Sequence, residues 1–332
     1  MDCLTVLISS AGRRVELINC FRADARKLGV ELRVVATDMD PAMSAACQVA
    51  DCCHQVPPCK EAGFVRALLE VCVQEKVGLV VPTIDPELEP LARRRIDFEQ
   101  HRAAVVVSAP EVIAWSRNKL ETHRFLASHG IPAPRTMPLA ELQKEAQGWR
   151  WPVVLKPVDG SGSSGVYQAQ TPDDLPRLKL PAEKYLAQEQ WSGQEFTVNL
   201  FFDRSGRARC AVPHLRREVR AGEVSKATTL REPVVLELAR SLGRILSGAY
   251  GPLCFQAIVT PAGQAAVIEV NPRFGGGYMV AHQAGAAFPR LFLEDRLCLP
   301  STVHDNWDEG VTMLRYDAAV FTRSTDSAGA AP

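Results

Sequence analysis

The sequence lacks the features that mark several classes of protein. No run approaches the roughly 18 consecutive apolar residues of a membrane span. The start of the chain has no basic segment before its short apolar run, so no signal peptide is predicted. Lysine plus arginine and aspartate plus glutamate each number 38, which leaves a formal net charge of zero. That balance supplies no electrostatic footprint for nucleic acid or an anionic membrane.

Cysteine patterns that bind zinc or exchange disulfides are also missing. Ten cysteines are scattered through apolar segments, and no two are spaced as Cys-x-x-Cys. We therefore expect reduced cysteines in a cytoplasmic protein. Nothing in the sequence resembles a nucleophilic triad.

The pattern of predicted strands and helices changes along the chain. Up to residue 115, short apolar runs such as Leu4–Ser9 alternate with helical patterns such as Val15–Leu28, which predicts a parallel sheet covered by helices. From residue 116 the strands come in pairs joined by turns, which predicts antiparallel sheets. We expect one domain over 1–115, two units over 116–187 and 188–321, and a disordered tail over 322–332.

The last strand pair carries the most informative polar residues. A two-residue turn at Ala262-Gly263 would place Gln256 opposite Glu269. Because side chains alternate along a strand, Glu269, Asn271 and Arg273 are expected on one face, with Ala266, Ile268 and Val270 on the other. Carboxylate and amide oxygens suit Mg²⁺, and the guanidinium suits a phosphate. A solvated strand face is the alternative, and the convergence of four such groups favours the metal site.

A glycine- and serine-rich loop follows an apolar strand that ends at Lys156. The loop is neither a Walker A loop nor a dinucleotide fingerprint, since a strand rather than a helix follows it. Its backbone N–H groups are able to face an anion, although a simple turn is an equal alternative. The residues of this loop are Gly160, Ser161, Gly162, Ser163, Ser164 and Gly165.

Together these elements resemble the ATP-grasp superfamily, most closely single-chain proteins similar to one half of the carbamoyl-phosphate synthase large subunit. The resemblance runs from the segment Leu7–Ile18 to about Leu299, and its most specific motif is Ile268-Glu269-Val270-Asn271-Pro272-Arg273. It implies a Rossmann-like parallel sheet followed by a two-subdomain ATP-grasp fold with antiparallel sheets.

The resemblance also implies roles for individual residues. Lys119 and Lys156 would contact nucleotide phosphates beneath the loop over 160–165. Glu189 and the backbone near Trp191 would receive adenine, and Glu195 would bind ribose. Gln256, Glu269 and Asn271 would hold one or two Mg²⁺ ions, or Mn²⁺, with Arg273 near the transferred phosphoryl group.

The implied activity is an ATP-dependent carboxylate–amine ligase that works through an acyl phosphate. Synthase halves usually carry small polar residues after the arginine, whereas this chain has Phe274-Gly275-Gly276-Gly277-Tyr278, a variant more like that of amino-acid ligases. The expected partners are therefore a small-molecule carboxylate and an amine, often of an amino acid, and a homodimer is expected by analogy. Phosphorylation of a carbamate or another carboxylate, and a non-catalytic ATP sensor, are the alternatives.

Several residues are left with two interpretations. Lys226, in a loop expected over Ser225–Thr229, is either a contact to phosphate or substrate or a solvated lysine. Thr83 and Asp85 are expected at a strand's carboxyl end as substrate contacts, with a helix cap at Asp85 as the alternative. Arg13 and Arg14 are either substrate contacts or a helix start with a phosphate or carboxylate nearby, and His282 either lines the acceptor pocket or is structural.

Overall fold

A computed structural model describes residues 3–160, 165–220 and 222–322 of the chain. The first part forms a five-stranded parallel sheet in the order β3-β2-β1-β4-β5, with helices between the strands. Its elements are β1 (Cys3–Ser9), α1 (Val15–Leu28), β2 (Glu31–Asp38), α2 (Ala45–Val49), β3 (Cys52–Gln55), α3 (Phe64–Gln74), β4 (Leu79–Pro82), α4 (Asp85–Arg93), α5 (Arg95–Gln100) and β5 (Ala104–Val105). The apolar runs are buried as expected, and α1 ends at Gly29, whose positive φ of 67° suits glycine.

The middle part forms a four-stranded sheet in the order β6-β9-β7-β8, in which every pair is antiparallel. Asn118 caps the helix that leads into it by accepting hydrogen bonds from the backbone N–H groups of Leu120 and Glu121. The elements are α6 (Pro110–Arg117), α7 (Lys119–Ser128), β6 (Thr136–Pro138), α8 (Leu139–Leu142), β7 (Val153–Pro157), β8 (Tyr167–Ala169), α9 (Leu175–Leu178) and β9 (Tyr185–Glu189).

The last part forms a six-stranded antiparallel sheet in the order β14-β13-β10-β11-β12-β15. Its elements are β10 (Gln194–Phe202), β11 (Ala208–Arg220), β12 (Glu223–Thr229), α10 (Pro233–Ile245), β13 (Gly251–Val259), β14 (Ala265–Asn271), α11 (Tyr278–Gln283), α12 (Phe288–Arg296) and β15 (Thr312–Leu314). The helices α11 and α12 pack on the first sheet, so that Phe21 of α1 meets Phe274 edge to face at 6.4 Å. This shared core fixes the end of β14 against the carboxyl edge of the parallel sheet.

The predicted fold class, a parallel sheet followed by antiparallel sheets, is confirmed. The loop expected over Ser225–Thr229 is wrong, because these residues belong to β12 and pair with β11 and β15. The predicted boundary at 115/116 falls inside α6 and the one at 187/188 inside β9, and the four-part division stays a prediction. Ser161, Gly162, Ser163 and Ser164 of the loop, and residues 323–332 of the predicted tail, lie outside the described residues.

All ten cysteines are free thiols, as the sequence predicts, and half of them are buried. Burial raises the pKa of Cys20 and Cys72 to about 12 in each case, so these thiols stay protonated. No helix in the described part of the chain is long and apolar enough to cross a bilayer.

Candidate active site

The hairpin of β13 and β14 places Gln256 opposite Glu269, as predicted, but through a longer turn and a bulge that were not predicted. The turn is longer than two residues: Thr260 donates its N–H to the carbonyl of Gln264 at 2.8 Å, and Gly263 has a positive φ of 78°. The pairing near this turn is therefore offset by one residue from the predicted register. A bulge at Ile268 inserts one residue into β14 and restores the predicted pairing from Glu269 onward.

The bulge changes which side chains of β14 face the core. Val267 and Val270 are both 1% exposed and lie in the core, while Ile268 lines the same cavities as Glu269. The prediction that Ala266, Ile268 and Val270 share an apolar face is thus wrong. Arg273 also lies beyond the end of the strand, which stops at Asn271.

A cavity of about 420 Å³ lies between the four-stranded and the six-stranded sheets. Its lining brings together the two predicted lysines, the adenine and ribose candidates, and two of the three metal candidates. These residues are Lys119, Lys156, Gly160, Glu189, Trp191, Glu195, Gln256 and Glu269. The sequence separates them by up to 150 positions, so the fold alone assembles this cleft.

Among the described residues, the side chains of the two lysines hydrogen-bond only neutral oxygen atoms. The Lys156 ammonium donates to Oε1 of Gln188 at 2.9 Å, and that of Lys119 donates to the carbonyl of Gly160. Burial lowers the pKa of Lys156, an effect that the Glu269 carboxylate opposes and Lys119 reinforces. A second cation beside a partly desolvated one favours the binding of an anion between them.

The residues predicted for adenine and ribose also line this cleft. Glu189 accepts a hydrogen bond from the backbone N–H of Arg150 at 3.3 Å. Glu195 forms an ion pair with Arg216 at 3.0 Å, and the Arg216 side chain is only 9% exposed. The sequence reasoning missed Arg216 and Gln188, since neither stands in a recognisable motif.

A second cavity, of about 180 Å³, continues from the first through Lys119, Gly160 and Glu269. It is lined further by Asn271 and by Asp85 at the start of α4. Among the described residues, no side chain bonds the Glu269 carboxylate or the side-chain amides of Gln256 and Asn271. Three oxygen-bearing side chains without a side-chain partner in the described part of the chain suit a hard cation such as Mg²⁺.

The Arg273 side chain is held by Asp85 in a bidentate ion pair. Its Nε and Nη2 atoms donate to the two carboxylate oxygens at 2.8 and 2.6 Å, and Nη1 donates to the carbonyl of Phe274. The charge of Asp85 raises the pKa of Arg273 against the opposing effect of burial, which is the largest single influence. This pair joins the parallel sheet to the six-stranded sheet at the rim of the second cavity.

The structure places the remaining candidates as follows. Lys226, on β12, pairs with Glu218 at 2.8 Å with half of its side chain exposed, and it lines none of the cavities described here. His282 contacts the buried carboxylate of Asp24 at 3.0 Å, which favours the structural interpretation. Thr83 donates its hydroxyl to the carbonyls of Ser9 and Ser10 and is fully buried.

Two family models match the chain. A model described as the PylC-like N-terminal domain matches residues 6–106, and a model of the ATP-grasp domain matches residues 116–277. The second match contains every residue that the sequence predicts for nucleotide and metal.

Two curated proteins match parts of the chain. It is 25% identical over 135 residues to a carbamoyl-phosphate synthase of Methanobrevibacter smithii, which covers 40% of this chain and 37% of the relative. It is 33% identical over 156 residues to a formate-dependent phosphoribosylglycinamide formyltransferase of a Synechococcus species, which covers 46% of this chain and 37% of the relative. The chain therefore matches little more than a third of the length of each.

Solved structures share the fold over most of the chain. The biotin carboxylase domain of the 2-oxoglutarate carboxylase of Hydrogenobacter thermophilus, in complex with MgADP and bicarbonate, has a TM-score of 0.72 at 15% identity and covers 92% of this chain and 72% of its own. An L-amino acid ligase of Bacillus licheniformis has a TM-score of 0.66 at 18% identity and covers 90% of this chain and 75% of its own. At these identities the likeness shows the fold alone.

Proposed function

This chain is an ATP-grasp protein with a PylC-like N-terminal domain, and from that premise we propose that it is an ATP- and Mg²⁺-dependent carboxylate–amine ligase. It joins a small-molecule carboxylate to an amine, often that of an amino acid, and releases ADP and phosphate. The observation that carries this proposal is the cleft lined by Lys119, Lys156 and the carboxylate of Glu269, to which no described side chain bonds.

The donor set of this cleft fits a magnesium ion. Glu269 supplies a carboxylate oxygen and Gln256 and Asn271 supply amide oxygens, the hard ligands that Mg²⁺ prefers. One or two such ions, when bound there, would offset the negative charge of the nucleotide phosphates. The number of ions stays a prediction, as does the use of Mn²⁺.

The residues of the chain position the reactants and balance their charge. In the first step an oxygen of the substrate carboxylate attacks the γ-phosphorus of ATP, the bond to the bridging oxygen breaks, and ADP leaves. Lys119 and Lys156 would bind the phosphates while negative charge moves onto the departing ADP. The amine then attacks the acyl carbon, phosphate leaves with the bonding electrons, and the nitrogen loses a proton to give the amide.

Arg273 requires a specific role in this proposal, because Asp85 occupies its guanidinium. Within the described residues, Asp85 and the carbonyl of Phe274 use three of the five N–H donors of Arg273, which leaves two. We propose that Arg273 supports the transferred phosphoryl group through these donors, with Asp85 fixing its orientation. Lys226, paired with Glu218 and half exposed, has the weakest support among the proposed catalytic residues.

An assay of ADP release tests the proposal. Purified protein with ATP and Mg²⁺ is screened over pooled amino acids, other carboxylates and amines, and bicarbonate, and the products are identified by mass. Amide products support the ligase, bicarbonate-dependent ADP release favours the carbamate alternative, and ATP binding without ADP release on any panel favours a sensor.

The variant Glu269→Gln tests the metal site within the same assay. We expect turnover to fall by at least about 100-fold, since a charged group that stabilises the transition state is lost. Glu237→Gln, on the exposed face of α10, is the control and is expected to keep wild-type turnover. Activity of Glu269→Gln within a few-fold of wild type would overturn the metal assignment. Location in the cytoplasm and a homodimeric state stay predictions.

A further inference from the structure

A third cavity, of about 200 Å³, lies at the carboxyl edge of the parallel sheet. It is formed by the turn after β1, the end of β4, the glycine run after β14 and the start of α11. Phe274, Leu17 and Met279 supply its apolar lining, and Arg14 and Glu223 are among its charged groups. With half the volume of the nucleotide cavity, it has room for a small metabolite.

Arg14 is the unusual residue of this cavity. Its Nη2 and Nη1 atoms donate to the carbonyls of Thr83 at 3.0 Å and Gly275 at 3.3 Å, which fixes the guanidinium between the two sheets. Burial and, to a smaller extent, the charge of Arg273 lower the pKa of Arg14 to about 10. Among the described residues, no carboxylate lies within ion-pair distance of it.

The other two arginines of the cavity share one carboxylate partner. Arg13 and Arg315 each bind one carboxylate oxygen of Glu223, at 3.3 and 2.9 Å. Glu223 lies beyond ion-pair distance of Arg14, yet its charge raises the Arg14 pKa. A desolvated cation and a carboxylate thus line one small cavity without touching each other, and a buried cation is stabilised by an anionic partner.

We propose that this cavity binds an α-amino acid, with its carboxylate on Arg14 and its ammonium group on Glu223. An amino acid carries opposite charges on neighbouring atoms and therefore spans the gap between the two side chains. Two of the five Arg14 N–H donors are used among the described residues, which leaves three for the carboxylate. The apolar lining receives the amino-acid side chain.

The position of the cavity suits a substrate of the proposed ligase. The role of the bound amino acid as a substrate rests on that proposed function. Thr83, Ile84, Phe274 and Gly275 line this cavity, whereas Asp85, Pro86, Asn271 and Pro272 line the second one. The ion pair of Asp85 and Arg273 therefore lies between them. An amino acid bound at Arg14 is separated from the predicted metal site by that single pair.

Direct binding tests this inference without turnover. Thermal unfolding is followed with the twenty common L-amino acids, their amides, and the matching amines that lack the carboxylate. We expect some amino acids to raise the melting temperature, since a ligand that binds the folded state stabilises it. Neither the amides nor the amines should do so.

Variants of Arg14 assign the effect to this cavity. Arg14→Gln is expected to weaken amino-acid binding by about 10- to 100-fold, the effect of losing a charge-assisted hydrogen-bonded partner. Arg14→Lys keeps the charge without the planar fork and should fall in between. Arg26→Gln, on the exposed last turn of α1, is the control and should bind as wild type does.

Each outcome separates this inference from the proposed function. Equal binding of acids and amides, unchanged binding in Arg14→Gln despite a normal fold, or no binding of any amino acid would overturn the inference. If amino acids bind through Arg14 but no ADP is released, the ligase proposal falls and the site stands. If the protein ligates an amino acid whose affinity is the same in wild type and in Arg14→Gln, the proposed function stands and this inference falls.

Discussion

Two regions use the same kinds of polar residue in opposite ways. One is the cleft between the four-stranded and six-stranded sheets, and the other is the junction at the carboxyl edge of the parallel sheet, where Asp85 pairs with Arg273. At the junction, Glu87 is fully buried and accepts hydrogen bonds from the hydroxyls of Ser9 and Ser10 and from the N–H groups of Thr83 and Ile84. In the cleft, the Glu269 carboxylate has no bonding partner among the described side chains. Polar groups that are satisfied within the chain build the scaffold, and those that are not are available to a ligand.

The energetic reason for this difference is the cost of desolvation. A buried polar group that lacks a partner costs about 1–3 kcal/mol, so a scaffold cannot accumulate many of them. Groups in a cleft still contact water and exchange it for a ligand. Arg14 breaks the pattern because it lies at the junction and has no carboxylate within ion-pair distance among the described residues, which makes it the candidate ligand group on that side.

The largest effect is expected from breaking the ion pair at the junction. Asp85→Ala leaves the Arg273 guanidinium without a carboxylate in a site where its side chain is only 15% exposed. We expect the free energy of unfolding to fall by about 3 kcal/mol, the lower end for a broken buried pair, because both side chains keep some contact with water. Urea unfolding followed by circular dichroism measures the change.

A double variant distinguishes the pair from a general loss of packing. Asp85→Ala combined with Arg273→Met removes both charges, and should recover part of the lost stability because no buried charge is left unpaired. If the single variant loses less than about 1 kcal/mol, or the double variant is the less stable of the two, the junction is not a satisfied scaffold in this sense.

An intermediate effect is expected in the cleft. Lys156→Met removes a cation whose one hydrogen bond among the described residues is to Gln188, so stability should change little while ADP binding weakens by about 10- to 100-fold. Isothermal titration calorimetry with ADP and Mg²⁺ measures the affinity. Lys144→Met, an exposed lysine outside the cleft, is the control. A large loss of stability with unchanged ADP affinity would place Lys156 in the scaffold instead.

The sequence predicts much of the fold from local patterns, whereas most residues of the cleft are predicted from the resemblance to the ATP-grasp superfamily. The periodicity of the first part predicts α1 with its observed bounds, and the hairpin predicts the contact between Gln256 and Glu269. The bulge at Ile268 is not predictable from alternation, since the extra residue is itself apolar. As a result, the prediction for the core face of β14 is wrong at two positions even though the facing pair is right.

Contacts between distant segments are the part that the sequence leaves open. Asp85 and Arg273 are 188 positions apart, and no pattern in either segment specifies the other as its partner. The same is true of Arg14, which meets Gly275 only because α11 and α12 pack against the parallel sheet. Charged residues at the ends of strands can be identified as candidates, but their pairing depends on the packing of whole sheets.

The smallest effect is expected at His214, a buried side chain with one ring nitrogen that no described residue hydrogen-bonds. His214 on β11 lies behind the glycine run: a Cβ atom added to Gly277 would stand 3.3 Å from its Nε2 atom, which has no hydrogen-bond partner in the described part of the chain. Burial lowers the pKa of His214 to about 3, and Arg216 contributes in the same direction. The folded state therefore holds this imidazole neutral at pH values where the unfolded chain, with a pKa of about 6.5, takes up a proton.

Because the folded pKa lies below the unfolded one, the stability from His214 is fully present above about pH 6.5 and is lost as the pH falls toward 3. Between pH 6.5 and 5.5 the free energy of unfolding should fall by about 1 kcal/mol through this residue alone. His214→Gln should remove that part of the slope, while His101→Gln, on an exposed turn, should keep it. Urea unfolding at the two pH values measures the change in the free energy of unfolding. An equal change for wild type and His214→Gln would contradict the prediction. It would mean that water or a proton reaches the imidazole, so that this side of the junction is accessible to solvent, as the cleft is.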